Sequence, residues 1–370
     1  MEKELKPSVK ERLYSLDTLR GFDMFWIIGG GWLLGNLADA TQWGWVGTLA
    51  KQTEHVEWAG FHFQDLIFPL FMFISGVAIP YALISKKEKG IDKQTLYKKI
   101  FRRMVILVVF GLVYNGMLLT GIKNLRVASV LGQIGVAYFF AALITINTNS
   151  VQARIYWIIA ILLGIAGLQL IVPVPVHGAG VLTAEGSINS WIDQYLLPGV
   201  LYNKVTDPEG LLCIVSAVTV TLIGVVAGTV LRRKTITPVK KTQVLLVSGV
   251  ALVIIALSLS PFYPIIKNLW TVPYNLLTAG ISMMLLALFY FIIDVKMYRN
   301  WILFFQVIGL NSITIYMGKR LIDFLHISKY IMGWTYIFGA WGDVLIAITY
   351  IALEWLLLYY LFKNRIFLKI

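Results

Sequence analysis

Apolar residues run along this chain in blocks of about twenty, broken by short polar stretches. The blocks fall at 21–37, 61–83, 101–120, 128–146, 155–172, 211–231, 244–260, 271–293, 301–318 and 340–362. Each approaches the roughly 20 residues that a helix needs to cross hydrocarbon. The pattern predicts an all-α fold, a polytopic integral membrane helical bundle of about 10 transmembrane helices. An even count puts both termini on one side. Ala38-Asp39-Ala40 faintly resembles a signal-peptidase site, but the glycines at 29–31 and the many later blocks favour an uncleaved first span. The longest non-apolar stretch, about 173–210, is too short for a separate domain, so residues 1–370 read as one integral membrane domain opening on a polar, cytoplasmic segment at 1–15. Gly224-x-x-x-Gly228 predicts close helix packing.

Composition agrees with this picture. Hydrophobic residues make up 58% of the chain and charged ones 14%, against roughly 25% charged in soluble domains. Cys213, the one cysteine, permits no internal disulfide, and His55, His62, His177 and His326 are too scattered to predict a metal site. The net charge of +13 raises nucleic acid as a partner, but the positions of the charges argue against it. The N-terminus, the 86–103 linker, 147–154, 232–241, 294–300 and the C-terminus together hold 24 of the 32 Lys and Arg residues. By the positive-inside rule that face is cytoplasmic, which leaves no basic domain for nucleic acid. The loops at 43–60, 121–127, 173–210, 261–270 and 319–339 then lie on the far side.

Candidate chemistry concentrates where polar residues meet hydrocarbon. In the stretch from Lys51 to Leu70, His55 lies just before the second span and His62 and Asp65 at its start. An imidazole with a natural pKa of ~6.5 is a versatile acid, base or nucleophile, though spacing alone leaves His55 open between catalysis and an interfacial loop. Asp65 reads equally as a helix-start acid or a functional group, whereas His62 and Glu57 read as interfacial. Arg20 is either a topological anchor beside Asp17 or an anion clamp. Arg126 opens the fourth span with Gln133 about two turns inside, where an amide needs a partner. Asp207-Pro-Glu-Gly210 looks first of all like helix capping, Trp270 like an interface ring, and Asn311-Ser312 like a polar pair within hydrocarbon.

Taken together, Leu16-Asp-Thr-Leu-Arg-Gly21, His55-x-x-Trp58-x-Gly60, Asp65-Leu-Ile-Phe-Pro69 with Phe73-Ile-x-Gly76, Asp207-Pro-Glu-Gly210, Lys267-Asn-Leu-Trp270 and Asn311-Ser312 resemble the heparan-α-glucosaminide N-acetyltransferase family in order and spacing. The resemblance implies transfer of acetyl from cytosolic acetyl-CoA, as donor substrate and without a metal, to an amino-sugar or glycan acceptor across the membrane. It implies that His55 is the essential histidine, with Asn268 beside it as a second catalytic candidate. Arg20, Trp58, Asp65, Arg126, Gln133, Asp207, Lys267, Trp270, Asn311 and Ser312 are the implied substrate and donor contacts. Further partners are membrane lipid and, as an open option, a second copy of the chain in a homodimer.

Departures from the family pattern matter. The family has an asparagine near the end of the first span where this chain has Gly31, so another donor such as Asn36, Asn268 or a backbone N–H would have to stabilise an oxyanion. Arg126-Val-Ala-Ser-Val-Leu-Gly-Gln133 lacks one basic residue of the corresponding family pattern. A large luminal N-terminal domain is not in this sequence, which predicts a bacterial inner-membrane relative. The start also resembles broader membrane O-acyltransferases, whose first-span histidine falls at Gly31. A secondary transporter using Asp65, Gln133 and Asn311 is the rival expectation.

Overall fold

The computed structural model describes residues 13–120 and 124–368. The predicted polar N-terminal segment therefore lies outside the described residues up to position 12. Helices α1 (Tyr14–Phe25), α2 (Gly31–Thr41) and α3 (Gly44–Lys51) lead to α4 (Gln64–Ile79), which continues through a π-helical turn into α5 (Ser85–Glu88). There follow α6 (Lys93–Tyr114), α7 (Met117–Thr120), α8 (Val130–Asn147), α9 (Val151–Ile171), α10 (Ile188–Leu196), α11 (Leu211–Arg232) and α12 (Pro238–Leu259). The chain closes with α13 (Val272–Tyr290), α14 (Ile302–Leu310), α15 (Ser312–Leu321), α16 (Phe324–Met332) and α17 (Ala340–Lys363). No strand forms among the described residues.

Seven helical segments are long and apolar enough to cross a membrane, and α14 with α15, bent by 69° at Asn311, adds an eighth when the pair is one span. The chain is an all-α polytopic membrane protein. The remaining two of the ten expected spans differ in form. The first is broken: α1 and α2 meet at the turn Trp26–Gly30, where Gly29 has φ 143°, a backbone state that glycine tolerates. The third begins earlier than expected. Asp92 accepts the Thr95 N–H at 2.9 Å and caps α6, and Leu96 and Ile100 are buried on its opening turns. The basic residues from Lys93 to Arg103 are thus helical rather than part of a linker, because cap and apolar spacing outweigh their charge.

Helix α11 is the most enclosed, packing on α4, α8, α9 and α13. The glycine pair acts as expected: a Cβ on Gly224 would fall 2.2 Å from the Phe73 carbonyl oxygen and one on Gly228 2.4 Å from that of Val77. Two ends of the bundle follow. At one, Lys87 reaches Asn149, Lys93 reaches Asn147 and Arg232 pairs with Glu88. Asp294 accepts the Ser15 N–H on the same predicted face. The predicted far-side loops meet at the other end.

Candidate functional site

The loops at that end, together with helices α1, α4, α8 and α15, enclose a cavity of about 440 Å³. Its rim carries His55, Gln64, Arg126, Glu209, Lys267 and Asn268, while Met24, Ile67, Phe71, Ile134, Ile313 and Tyr316 line its depth. Polar groups at the mouth and apolar ones below suit a ligand with one wet and one greasy part.

Backbone pairing builds the rim. Gly60, with φ 126°, donates its N–H to the Ile265 carbonyl at 2.9 Å, and Ala59 bridges Ile266. That contact sets the loop before α4 against the loop before α13 and brings Lys267 to His55. Asp65, in the first turn of α4, is fully enclosed. Its Oδ1 lies 2.7 Å from His55 Nδ1, and its Oδ2 accepts the His62 N–H at 3.0 Å. The Tyr274 hydroxyl donates to the Asp65 carbonyl at 2.8 Å, which fixes the turn. With Asp65 accepting from Nδ1–H, the lone pair resides on Nε2. Lys267 Nζ lies 3.3 Å from Asp65 Oδ1, 2.8 Å from His55 Nδ1 and 3.1 Å from Nε2. Burial lowers the proton affinity of this amine, with Asp65 opposing. The His55 side chain itself is 53% exposed, so a substrate can reach it.

The opposite wall is a second charged cluster. Arg126 donates to Asp207 through Nε at 2.8 Å and Nη2 at 2.6 Å, contacts Glu209, and lies 4.6 Å over the Tyr202 ring. Burial opposes the Arg126 charge, but Asp207 and Glu209 reverse that effect and hold its proton more tightly than water does. Burial also pushes the Glu209 carboxyl above the ordinary carboxylate range, with Arg126 opposing.

Of the residues implied by resemblance, His55, Arg126, Lys267, Asn268 and Ser312 line the cavity, and Asp65 and Asp207 anchor them. The others lie elsewhere. Trp58 donates its indole N–H to the Leu182 carbonyl at 2.9 Å. Trp270 is buried, not an interface ring: its indole bonds the Pro208 carbonyl at 3.1 Å and its ring packs edge-on against Phe68 behind the cavity wall. Gln133 sits in the first turn of α8, not two turns deep, because Ser129 caps that helix; its amide bonds the Cys213 carbonyl at 3.1 Å. Asn311 is buried at the α14–α15 bend with neither side-chain polar atom bonded among the described residues. Arg20 lies outside the cavity, 3.5 Å from Asp17.

Asp207 is also no helix cap. The first N–H of α11, at Leu211, bonds Asp193 Oδ1 at 2.9 Å, which frees Asp207 for Arg126. Gly31 packs against Thr53, its Cβ position 3.2 Å from that of Thr53, two residues before His55. Asn36 bonds the Asp343 carbonyl, whereas Asn268 lines the cavity. Sequence reasoning missed Tyr202, Asn203 and Tyr316 of the lining. It also passed over Asp23, a buried acid with no hydrogen-bond partner among the described residues, although an acid inside an apolar block is a signal in itself.

Residues 12–171 match a domain of unknown function (DUF5009). Heparan-alpha-glucosaminide N-acetyltransferase from Homo sapiens is 26% identical over 369 residues, covering 84% of this chain and 53% of that protein. The Mus musculus protein of the same name is 25% identical, covering 86% and 55%. The chain is a distant relative of the heparan-alpha-glucosaminide N-acetyltransferases. It spans about half the length of the curated relatives it matches.

Proposed function

We propose that this chain is a single-domain transmembrane acyltransferase moving acetyl from cytosolic acetyl-CoA to the amine of an amino-sugar or glycan on the other side. The proposed setting is a bacterial inner membrane with both termini cytoplasmic. One observation carries the reading: the imidazole held by a buried carboxylate at the mouth of a ligand-sized cavity, in a relative of acetyltransferases. Acetyl-CoA supplies the activated acyl group, and the apolar depth of the cavity fits a slender thioester arm while its polar rim fits a sugar. Asp65 holds His55, and Nε2, which Lys267 Nζ approaches to 3.1 Å, takes the acceptor's proton as the amine nitrogen bonds the acyl carbon and the carbon–sulfur bond breaks. Lys267 and Asn268 face the same space and stabilise the carbonyl oxygen as charge develops.

His55→Ala in proteoliposomes is expected to lower labelled acetyl transfer by roughly 10²–10⁴-fold, the usual contribution of a positioned base. Near-normal transfer would overturn the assignment. A labelled acetyl-protein formed without acceptor favours the carrier route, and its absence leaves the ternary route in which His55 acts as base.

A secondary transporter is the second reading, favoured by the two discontinuous helices at the cavity. Met24 and Ile27 line it beside the Gly29 break, and Ser312 and Ile313 line it beside the Asn311 bend. Thermal stabilisation of the purified protein by coenzyme A distinguishes the two, since a permease for another solute has no reason to bind it.

A further inference from the structure

The opposite end of the bundle holds a cavity of about 590 Å³ between the π-helical turn after α4, the start of α9 and the end of α11. Arg154, Arg232, Arg233 and Lys234 line it, against one carboxylate, Glu88, which pairs with Arg232. Arg154 is 4% exposed. Its guanidinium donates to Thr148 Oγ1 at 3.3 Å, the Thr148 carbonyl at 3.2 Å and Thr229 Oγ1 at 3.1 Å. All three acceptors are neutral, so among the described residues this buried full charge faces the cavity with no carboxylate bonded to it. Val151 and Gln152, the first residues of the 21-residue helix α9, line the same space. N–H groups of an opening turn have no intrahelical acceptor and carry the positive end of the helix dipole. Lys87 adds a further cation at the edge, 2.9 Å from Asn149 Oδ1.

We propose that this cavity binds a phosphate-bearing anion. A guanidinium presents paired donors that match tetrahedral oxyanions, and a charged ligand would neutralise what the protein leaves unmatched. An anionic phospholipid headgroup and a soluble phosphoester share this chemistry. The site is separate from the His55 cavity and does not depend on the acyl-transfer reading.

The test uses the full chain in phosphatidylcholine nanodiscs. One arm introduces phosphatidylglycerol and reads lipid retention by native mass spectrometry; the other titrates adenosine 3′,5′-bisphosphate and reads binding calorimetrically. Saturable binding is expected in one arm, and that arm names the source. Arg233→Gln with Lys234→Gln, both exposed and outside the core, is expected to weaken it roughly 30-fold, as two cations near a phosphate-bearing surface would. Lys363→Gln with Arg365→Gln removes equal charge elsewhere and leaves binding intact, as does His55→Ala. Failure of both probes to saturate overturns the site, and so does equal weakening by the two charge-removing pairs, which would mean general surface attraction.

Discussion

At the His55 end, each basic side chain on the cavity wall meets a carboxylate: Lys267 and His55 meet Asp65, and Arg126 meets Asp207 and Glu209. At the other end Arg154, the most enclosed cation among the described residues, meets only neutral oxygens among them. The contrast separates two uses of charge. Paired ions surrendered their hydration together and now fix geometry, so the cavity they frame can receive a polar ligand without strong net attraction. An unpaired ion leaves a field that favours an anion from outside.

Removing one partner from each end should break the symmetry of cost. Asp207 is fully buried and also accepts the N–H groups of Tyr202 and Glu209 at 3.0 Å. Asp207→Ala is expected to destabilise the protein by about 3–5 kcal/mol, since it removes two of the charge-assisted bonds to Arg126, leaves that buried cation to Glu209 alone, and orphans two backbone donors. Reversible unfolding in mixed detergent micelles measures this. Arg154→Met removes the charge together with its desolvation cost and keeps much of the volume, so its expected effect is within about 1 kcal/mol. Equal losses for the two variants would show that the ends do not differ in this way.

Much of this arrangement was legible in the sequence. Block length gives the spans, because hydrocarbon thickness admits few alternatives. The segregation of Lys and Arg foreshadows the two ends. His55, Lys267 and Arg126 stand out as polar groups at span mouths, and the structure gathers them around one cavity. Partners were less legible. That Asp193 rather than Asp207 caps α11 depends on a loop helix folding back over 18 residues of sequence separation, and neither acid carries a local mark of the difference. The breaks at Gly29 and Asn311 escaped notice because apolar runs look continuous whether or not the helix through them is.

Asp193 is the exception that sharpens the comparison, an acid at the His55 end with no cation paired to it among the described residues. Its Oδ1 accepts the Leu211 N–H, while Oδ2 has no hydrogen-bond partner among the described residues. A Cβ on Gly210 would fall 1.8 Å from Oδ2, so glycine there lets the carboxyl lie flat on the start of α11. Burial pushes its pKa up to about 7. A raised carboxyl pKa favours folding while the group is protonated in both states, below the ordinary carboxylate value. That contribution is lost as pH rises through about 7. Across this window one such proton adds a slope of at most about 1.4 kcal/mol per pH unit. Asp193→Asn keeps an acceptor for Leu211 and removes the titration. Glu209, also raised by burial, contributes a slope to both proteins, so the difference between parent and variant is what isolates Asp193. The parent should lose stability relative to the variant between about pH 4 and 8. Parallel curves would mean that the carboxylate is as well solvated folded as unfolded, and the distinction between matched and unmatched charge would then fail at its simplest case.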